Sequence, residues 1–121
     1  MKKSREQEQK NRLEHILQSI VQIEGFVKGC DKKSFCTTSL LNNAVLYNFS
    51  IIGEAIAHID DEILNKQPYP WYKVRAFRNL IAHEYFNIKM EAVWMIIKHE
   101  LPNLKKNIKA ILSTEFSLRT K

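Results

Sequence analysis

Apolar residues recur at helical spacing through most of this chain. In the first 30 residues they stand three or four positions apart, with polar residues between them, at Leu13, Ile16, Leu17, Ile20, Ile23 and Val27. This spacing predicts an amphipathic helix over about residues 5–28, with Gly29 as its stop signal. Because the chain has only three glycines and three prolines, the many tight turns of a β-rich fold are not expected. We therefore predict an all-α protein.

A central helix is predicted over residues 41–59, where apolar residues continue at the same spacing. Its start is left open within residues 31–39, which mix charged and small polar side chains. The additional apolar residues Leu40, Tyr47 and Ile51 widen the apolar face beyond what one neighbouring helix covers. The central helix is therefore expected to be covered on more than one side, with another subunit as a candidate for the second contact.

Two prolines separate the central helix from the next one. Pro68 and Pro70 mark residues 60–70 as a connection, because the residue before a proline is biased away from helical backbone. A third helix is expected to begin near Trp71 and to end near Phe86.

The last apolar series predicts a fourth helix that begins around Lys89 and contains Pro102. Since a proline inside a helix removes a hydrogen bond and crowds the preceding turn, a kink or break is expected at residues 98–102. The fold class that follows is an up-and-down bundle of four to five helices. At 121 residues, we expect a single helical domain over residues 1–121.

The net charge of +6 is concentrated in the second half of the chain. Residues 1–60 carry a net charge of +1 and residues 61–121 carry +5. An excess of Lys and Arg suits a polyanion such as RNA, because neutralising phosphates releases bound counterions.

The chain begins with a polar, charged segment and contains no apolar run long enough to span a membrane. Its two cysteines, Cys30 and Cys36, fit neither a paired zinc motif nor a redox CxxC, and are expected to be reduced. The histidines do not cluster as metal ligands do, so no metal and no cofactor are expected. These features predict a soluble cytoplasmic protein with no membrane partner.

The third helix carries the candidate site. On a helical wheel at about 100° per residue, Asn79 and His83 form one stripe, and His83 lies about 140° from Arg78. Apolar residues of this helix, among them Leu80 and Ile81, are expected to dock on the bundle. A second stripe lies within about 60° of Arg78 and consists of Trp71, Arg75, Ala82 and Tyr85.

These residue types suit RNA cleavage. A neutral histidine such as His83 can deprotonate a ribose 2′-hydroxyl, and the guanidinium of Arg78 can stabilise negative charge on a phosphate. Because Arg78 and His83 diverge on one helix, one chain supplies half of such a site, and two copies about a twofold axis would complete it. The alternative is structural: a histidine near a helix C-terminus is favoured by the helix dipole, and Tyr85 would then be an amphipathic contact.

Five segments, in order along the chain, resemble one known family. They are residues 45–56 (VLYNFSIIGEAI), 68–71 (PYPW), 78–86 (RNLIAHEYF), 93–97 (VWMII) and 101–104 (LPNL). The chain resembles, over about residues 12–113, the HepT-like toxins of the HEPN superfamily. The resemblance implies a homodimeric all-α bundle in which the Arg-x4-His-x-Tyr motif of each copy lines a shared cleft.

The resemblance also implies an activity and a means of control. Members of the family are metal-independent endoribonucleases in type VII-like toxin–antitoxin pairs, encoded beside a minimal nucleotidyltransferase antitoxin that adenylylates the motif tyrosine. By this resemblance, Arg78 and His83 would be catalytic and Tyr85 the modified residue. AMP on Tyr85 would then cover the phosphate site beside Arg78. Asn79 and Arg75 would support the site or contact RNA phosphate, and Asn79 is equally suited to an interhelical hydrogen bond.

Two alternatives to a toxin stay open. The chain would be a non-catalytic substrate-binding or nucleotide-binding subunit of a nucleotidyltransferase, or a purely structural dimer. Other residues favour structural roles: Gly53 for close helix approach, Glu54 as a buried acceptor for a cleft arginine, and Trp71 with Trp94 as core anchors. The sequence further predicts a solvated face, or else an RNA track, at Lys98, Lys105 and Lys109.

Overall fold

The structure, a computed structural model, describes residues 2–116, with side chains from residue 4 onward. Within that range the regular elements are α-helices, a 3₁₀ turn and a π-helical segment. In chain order the α-helices are α1 (Lys2–Val27), α2 (Lys32–Thr37), α3 (Ser39–Ala57), α4 (Asp61–Leu64), α5 (Trp71–Glu84), α6 (Met90–Met95) and α7 (Leu101–Glu115).

The first helix ends as predicted. Gly29 follows α1 with φ of +80°, a left-handed conformation that glycine adopts without steric cost. A capping box then starts α2: Asp31 Oδ1 accepts from the backbone N–H of Ser34 over 2.8 Å, and Ser34 Oγ accepts from the N–H of Asp31 over 3.1 Å. The open start of the central helix is therefore resolved as a short helix, α2, a break at Thr38, and then α3.

Helix α3 lies between α1 and α5. Its inward residues, including Val45, Ile52 and Ile56, are buried in one apolar core together with the predicted face of α1. Glu54 bonds to Arg78, and Asn43, nearer the start of α3, bonds to Tyr85, nearer the end of the α5 region. Helices α3 and α5 are therefore antiparallel neighbours.

The connection over residues 60–70 contains a four-residue helix, α4, which the sequence interpretation missed. Two acidic residues in its first turn favour it through the helix dipole. The indole Nε1 of Trp71 donates to the carbonyl of Leu64 over 2.9 Å, which fixes the start of α5 against the end of α4. Trp71 is buried, as its predicted role of anchor requires.

The predicted interruption near Pro102 is present as a π-helical segment, Ile96–Glu100, that joins α6 to α7. Pro102 has no N–H to offer the carbonyl of Lys98 and its ring crowds that carbonyl, so the preceding turn widens. The helix then continues to Glu115.

The all-α prediction is confirmed for the described residues. Taking α6, the π segment and α7 as one continuous helix, residues 2–116 contain four long helices, with α2 and α4 as two short additions. Nowhere in this range does a helix combine the length and apolar character needed to cross a bilayer.

Candidate functional site

An open groove lies where α1, α3 and α5 run side by side. Its volume is about 460 Å³. Residues of α3 form its floor, and one wall comes from α1 and the other from α5. The lining residues are Arg12 and His15 from α1, Ser50, Ile51, Glu54 and Ala55 from α3, and Arg78 and Ala82 from α5. We call this feature the Arg78 groove.

Gly53 sets how closely α5 approaches the floor. A Cβ atom at this position would lie 2.8 Å from Cγ of Arg78, and nearer still to its Cβ. It would also meet the backbone carbonyl of Val74 at 3.4 Å. The prediction of close helix approach at Gly53 is confirmed, and the residue brought close is the candidate arginine itself.

The guanidinium of Arg78 is held by two acceptors. Its Nη2 donates to Oε1 of Glu54 over 2.6 Å, and its Nη1 donates to Oδ1 of Asn79 over 3.1 Å. Glu54 therefore accepts from a groove arginine as predicted, but the expectation that it is buried is wrong, since 52% of its side chain is exposed. The carboxylate sits on the outward face of α3, where the groove opens.

Glu54 also contacts His58, one turn further along α3. Nε2 of His58 lies 3.2 Å from Oε2 of Glu54. The hydrogen bond with His58 and the positive charge of Arg78 lower the pKa of Glu54 below its ordinary value of 4.5. The carboxylate is thus kept ionised between an arginine and a histidine.

Tyr85 lies outside the regular helix. Helix α5 ends at Glu84, and Tyr85 begins a 3₁₀ turn, so a wheel drawn at α-helical pitch does not extend to it. Its hydroxyl donates to Oδ1 of Asn43. Asn43 and Glu54 are eleven residues apart, about 16 Å along α3. Tyr85 and Arg78 therefore contact α3 at separate levels.

His83 is exposed and is not among the residues that line the Arg78 groove. No hydrogen bond or ion pair joins it to another residue in the part of the chain that the structure describes. Arg75 lies nearer the start of α5, where its Nη2 reaches Oδ1 of Asp61 at 3.4 Å. Arg78 thus bonds to Asn79, whereas Arg75 bonds to Asp61 and His83 does not line the groove.

Burial and side-chain contacts test several other expectations. Trp94 is buried, and Lys98 lies over its ring with Nζ 4.7 Å from the centroid. Nζ of Lys105 bonds to Glu24 over 2.9 Å, so it is not a free cation of a lysine track. Ile81 docks on the bundle as predicted, whereas Leu80 does not: 42% of it is exposed, because no described helix covers that side of α5.

Three residues that line the groove or contact the motif were missed from the sequence: Arg12, His15 and Asn43. Asn43 shares the outward stripe of α3 with Tyr47 and Glu54, and helical spacing could have revealed it. Arg12 and His15 are three apart on α1, but only tertiary packing brings them to α5. Within residues 2–116 no group of three His, Cys, Asp or Glu side chains is arranged to hold a metal ion.

The groove combines fixed positive charge with open access. Arg12 and Arg78 present guanidinium groups from opposite walls, and such forked donors match phosphate oxygens. The histidine of the candidate motif does not line it. The groove therefore offers donors suited to a phosphate, while proton transfer to His83 at this place requires a further element.

Comparison with known sequences gives the class and family. The family model described as ribonuclease HepT-like matches residues 16–111. "Putative RNase TTE0752" of Caldanaerobacter subterraneus subsp. tengcongensis is 35% identical over 104 residues, covering 85% of this chain and 93% of that protein. "Putative RNase MJ1380" of Methanocaldococcus jannaschii is 32% identical over 97 residues, covering 79% and 89%.

A third relative, "Probable ribonuclease HepT" of Thermococcus cleftensis, is 30% identical over 97 residues, covering 79% of this chain and 88% of that protein. No solved structure matches the chain significantly. The fold and these relatives together define a helical protein of the ribonuclease class. The chain belongs to the ribonuclease HepT-like family, and this membership supports ribonuclease activity with RNA as the substrate.

Proposed function

We propose that this protein is the toxin of a type VII-like toxin–antitoxin pair, a single-domain cytoplasmic endoribonuclease whose active site forms between two copies of the chain. The observation that carries the proposal is that the two candidate catalytic residues of one chain do not line the same groove. Arg78 lines the groove and His83 does not. A second copy related by a twofold axis supplies the missing histidine to each groove.

Exposed apolar side chains along α3 and beside Tyr85 support a second copy as the partner. Leu40 is 79% exposed and Tyr47 is 67% exposed on the outward stripe of α3, and Phe86, directly after Tyr85, is 97% exposed. Large apolar side chains clustered at a surface mark interaction sites. Pairing this face with its own copy would bury these residues and bring the two motifs together.

Cleavage in this proposal uses the ribose 2′-hydroxyl. Neutral His83 of one copy takes the 2′-hydroxyl proton, and the 2′-oxygen forms a bond to the adjacent phosphorus. Arg78 of the other copy stabilises the charge on the phosphate oxygens. The bond from phosphorus to the 5′-oxygen breaks, and the 5′-oxygen takes a proton from solvent. The products are a 2′,3′-cyclic phosphate and a 5′-hydroxyl, and no step requires a metal.

Two neighbouring residues have supporting roles. Asn79 accepts from Nη1 of Arg78, so it fixes the guanidinium while Glu54 holds the other amine. Arg75, one turn before Asn79 and only loosely paired with Asp61, contacts an outlying phosphate of the RNA.

Control in this proposal acts on Tyr85. A minimal nucleotidyltransferase antitoxin transfers AMP to it: the tyrosine oxygen bonds to the α-phosphorus of ATP, pyrophosphate leaves, and the hydroxyl proton is released. The modified oxygen can no longer donate to Asn43, and a bulky anion enters the cleft between the copies. Because Tyr85 and Arg78 contact α3 at separate levels, inhibition comes from blocking the path of the RNA as well as from covering the arginine.

One observation favours a second function, that of a non-catalytic binding subunit of a nucleotidyltransferase. Arg78 is already paired with Glu54, so its charge is partly compensated before any substrate arrives. Such a protein would bind a nucleotide or RNA in the groove without cleaving it.

Growth separates the two functions. The wild-type chain and His83→Ala, expressed alone in a bacterial host at matched levels, are expected to differ: the wild type arrests growth and the variant does not. Equal, normal growth of both strains would favour the binding subunit.

A further inference from the structure

We propose that Arg12 and His15 of α1 form an RNA-binding subsite on the wall of the Arg78 groove opposite Arg78. The ligand is a phosphodiester that neighbours, along the same RNA strand, the phosphodiester that is cleaved. This inference rests on the proposed ribonuclease function and adds a substrate contact from a helix outside the motif.

The guanidinium of Arg12 has hydrogen-bond donors that contacts within the protein do not fully use. Its side chain is one-third exposed, and its Nε is buried with no hydrogen-bond partner among the described residues. Among the described residues it forms one long ion pair, with Nη2 3.6 Å from Oε2 of Glu8. Because Nε is covered by protein, the donors that a ligand in the groove can reach are on the terminal Nη atoms, which the long ion pair with Glu8 uses only weakly. A guanidinium held in this way suits an anionic ligand.

His15 stands three residues after Arg12, on the same face of α1. It is exposed and lines the groove together with Arg12. A ring N–H of His15 can donate to a phosphate or ribose oxygen beside the one that Arg12 binds. The pair therefore offers a forked donor and a single donor to one stretch of backbone.

The position of the pair argues for an anionic strand as the occupant. Arg12 and Arg78 lie on opposite walls of a groove whose floor contributes one carboxylate, Glu54, already paired with Arg78. A strand that enters the groove meets a cation on each side. Cationic side chains along such an open channel bind the phosphates of a nucleic-acid backbone and do not suit an apolar peptide.

A purely structural role for Arg12 makes a different prediction. An exposed pair four residues apart on a helix contributes little to stability, so its loss would leave folding and RNA binding almost unchanged. RNA affinity is therefore the property that separates the two roles.

The test measures binding of a fluorescein-labelled single-stranded RNA of about 20 nucleotides, a length that exceeds the site sizes of common single-strand binding folds. All proteins carry His83→Ala, so that the RNA stays intact. The variants are Arg12→Gln, Arg12→Lys and His15→Gln. The matched control is Lys28→Gln, which removes one positive charge about 24 Å from Arg12 along the α1 direction.

We expect Arg12→Gln to raise the dissociation constant roughly tenfold, as loss of one charge-assisted contact does. The slope of log K against log salt should also fall by about 0.7, the value for one phosphate contact to a single strand. Arg12→Lys should keep the slope, His15→Gln should weaken binding less than Arg12→Gln, and Lys28→Gln should match the parent.

The inference is overturned if Arg12→Gln and Lys28→Gln bind RNA alike while both keep the parent's thermal unfolding midpoint. That result would leave the ribonuclease proposal intact if the wild-type chain still cleaves RNA. Failure of the parent to bind RNA at any salt concentration would overturn both.

Discussion

Arg78 on α5 donates from Nη2 to Oε1 of Glu54 on α3 over 2.6 Å, across a contact with no room for a Cβ atom at Gly53. The glycine and the carboxylate are consecutive in the sequence. One brings the arginine close, and the other holds its guanidinium at the opening of the groove. The candidate site therefore depends on the packing of α3 against α5 as much as on the motif.

Gly53→Ala should destabilise the protein. The new methyl group meets the stem of Arg78 and forces α3 and α5 apart, and overpacking of this kind costs about 1–3 kcal/mol. Gly25→Ala is the matched control, since a Cβ there meets nothing within 4 Å and alanine in α1 should gain about 0.5–1 kcal/mol. Urea unfolding of both variants measures the difference, and equal stabilities would contradict the close approach at Gly53.

Glu54→Gln should change stability in a pH-dependent way. Because the folded-state pKa of Glu54 lies below 4.5, its ionised form stabilises the fold above that pH, and the stabilisation is lost as the pH falls through the folded-state pKa. The difference in unfolding free energy between parent and Glu54→Gln should shrink as the pH falls below 4.5.

His58→Ala provides the control for that series. The hydrogen bond from His58 is the largest cause of the lowered pKa of Glu54, with the charge of Arg78 next. In a His58→Ala background, the pH-dependent difference should be smaller. A difference of the same size would show that the contact does not act on Glu54.

Much of the fold could be predicted because apolar spacing and stop signals are local. The C-terminal end of α1, the start of α5 and the interruption before Pro102 all follow from residues within a turn or two. Helix α4 was missed because two prolines close behind it dominate the pattern. Leu80 was misjudged because helical spacing does not reveal which sides of α5 have a neighbour.

Of the candidate site, the sequence indicates only the motif, which stays a prediction. Arg78, Asn79, His83 and Tyr85 stand close together in sequence, and their residue types indicate phosphate chemistry. The exposure of Glu54 and the contact of Tyr85 with Asn43 depend on how α3 lies against α5, which no local pattern encodes. The wheel placed Tyr85 beside Arg78 because it assumed that α5 continues past Glu84.

Tyr85→Phe should escape the proposed antitoxin. Without the hydroxyl no AMP can be attached, so a cell that carries both this variant and the proposed nucleotidyltransferase antitoxin should stop growing. Asn43→Ala is the matched control, because it removes the same hydrogen bond but leaves the hydroxyl to be modified. Growth of the Tyr85→Phe strain beside the antitoxin would count against tyrosine modification as the main control.

Arg78→Lys should lose most of the cleavage rate despite keeping its charge. Lysine is a point charge and cannot present the planar fork that matches phosphate, so we expect a fall in kcat of roughly a hundredfold or more.

Incubation with EDTA should leave cleavage by the parent unchanged. A rate that falls in EDTA and returns with a divalent ion would contradict the proposed use of His83 and Arg78 alone.

The most direct measurement mixes two variants that the proposal expects to be inactive. Arg78→Ala and His83→Ala are purified separately, mixed, partly unfolded and refolded so that subunits exchange, and assayed on labelled RNA. If each site takes Arg78 from one copy and His83 from the other, half of the dimers are mixed and each has one intact site. The mixture should then recover about a quarter of the wild-type activity. No recovery, with subunit exchange verified by mass spectrometry, would contradict a site shared between two copies.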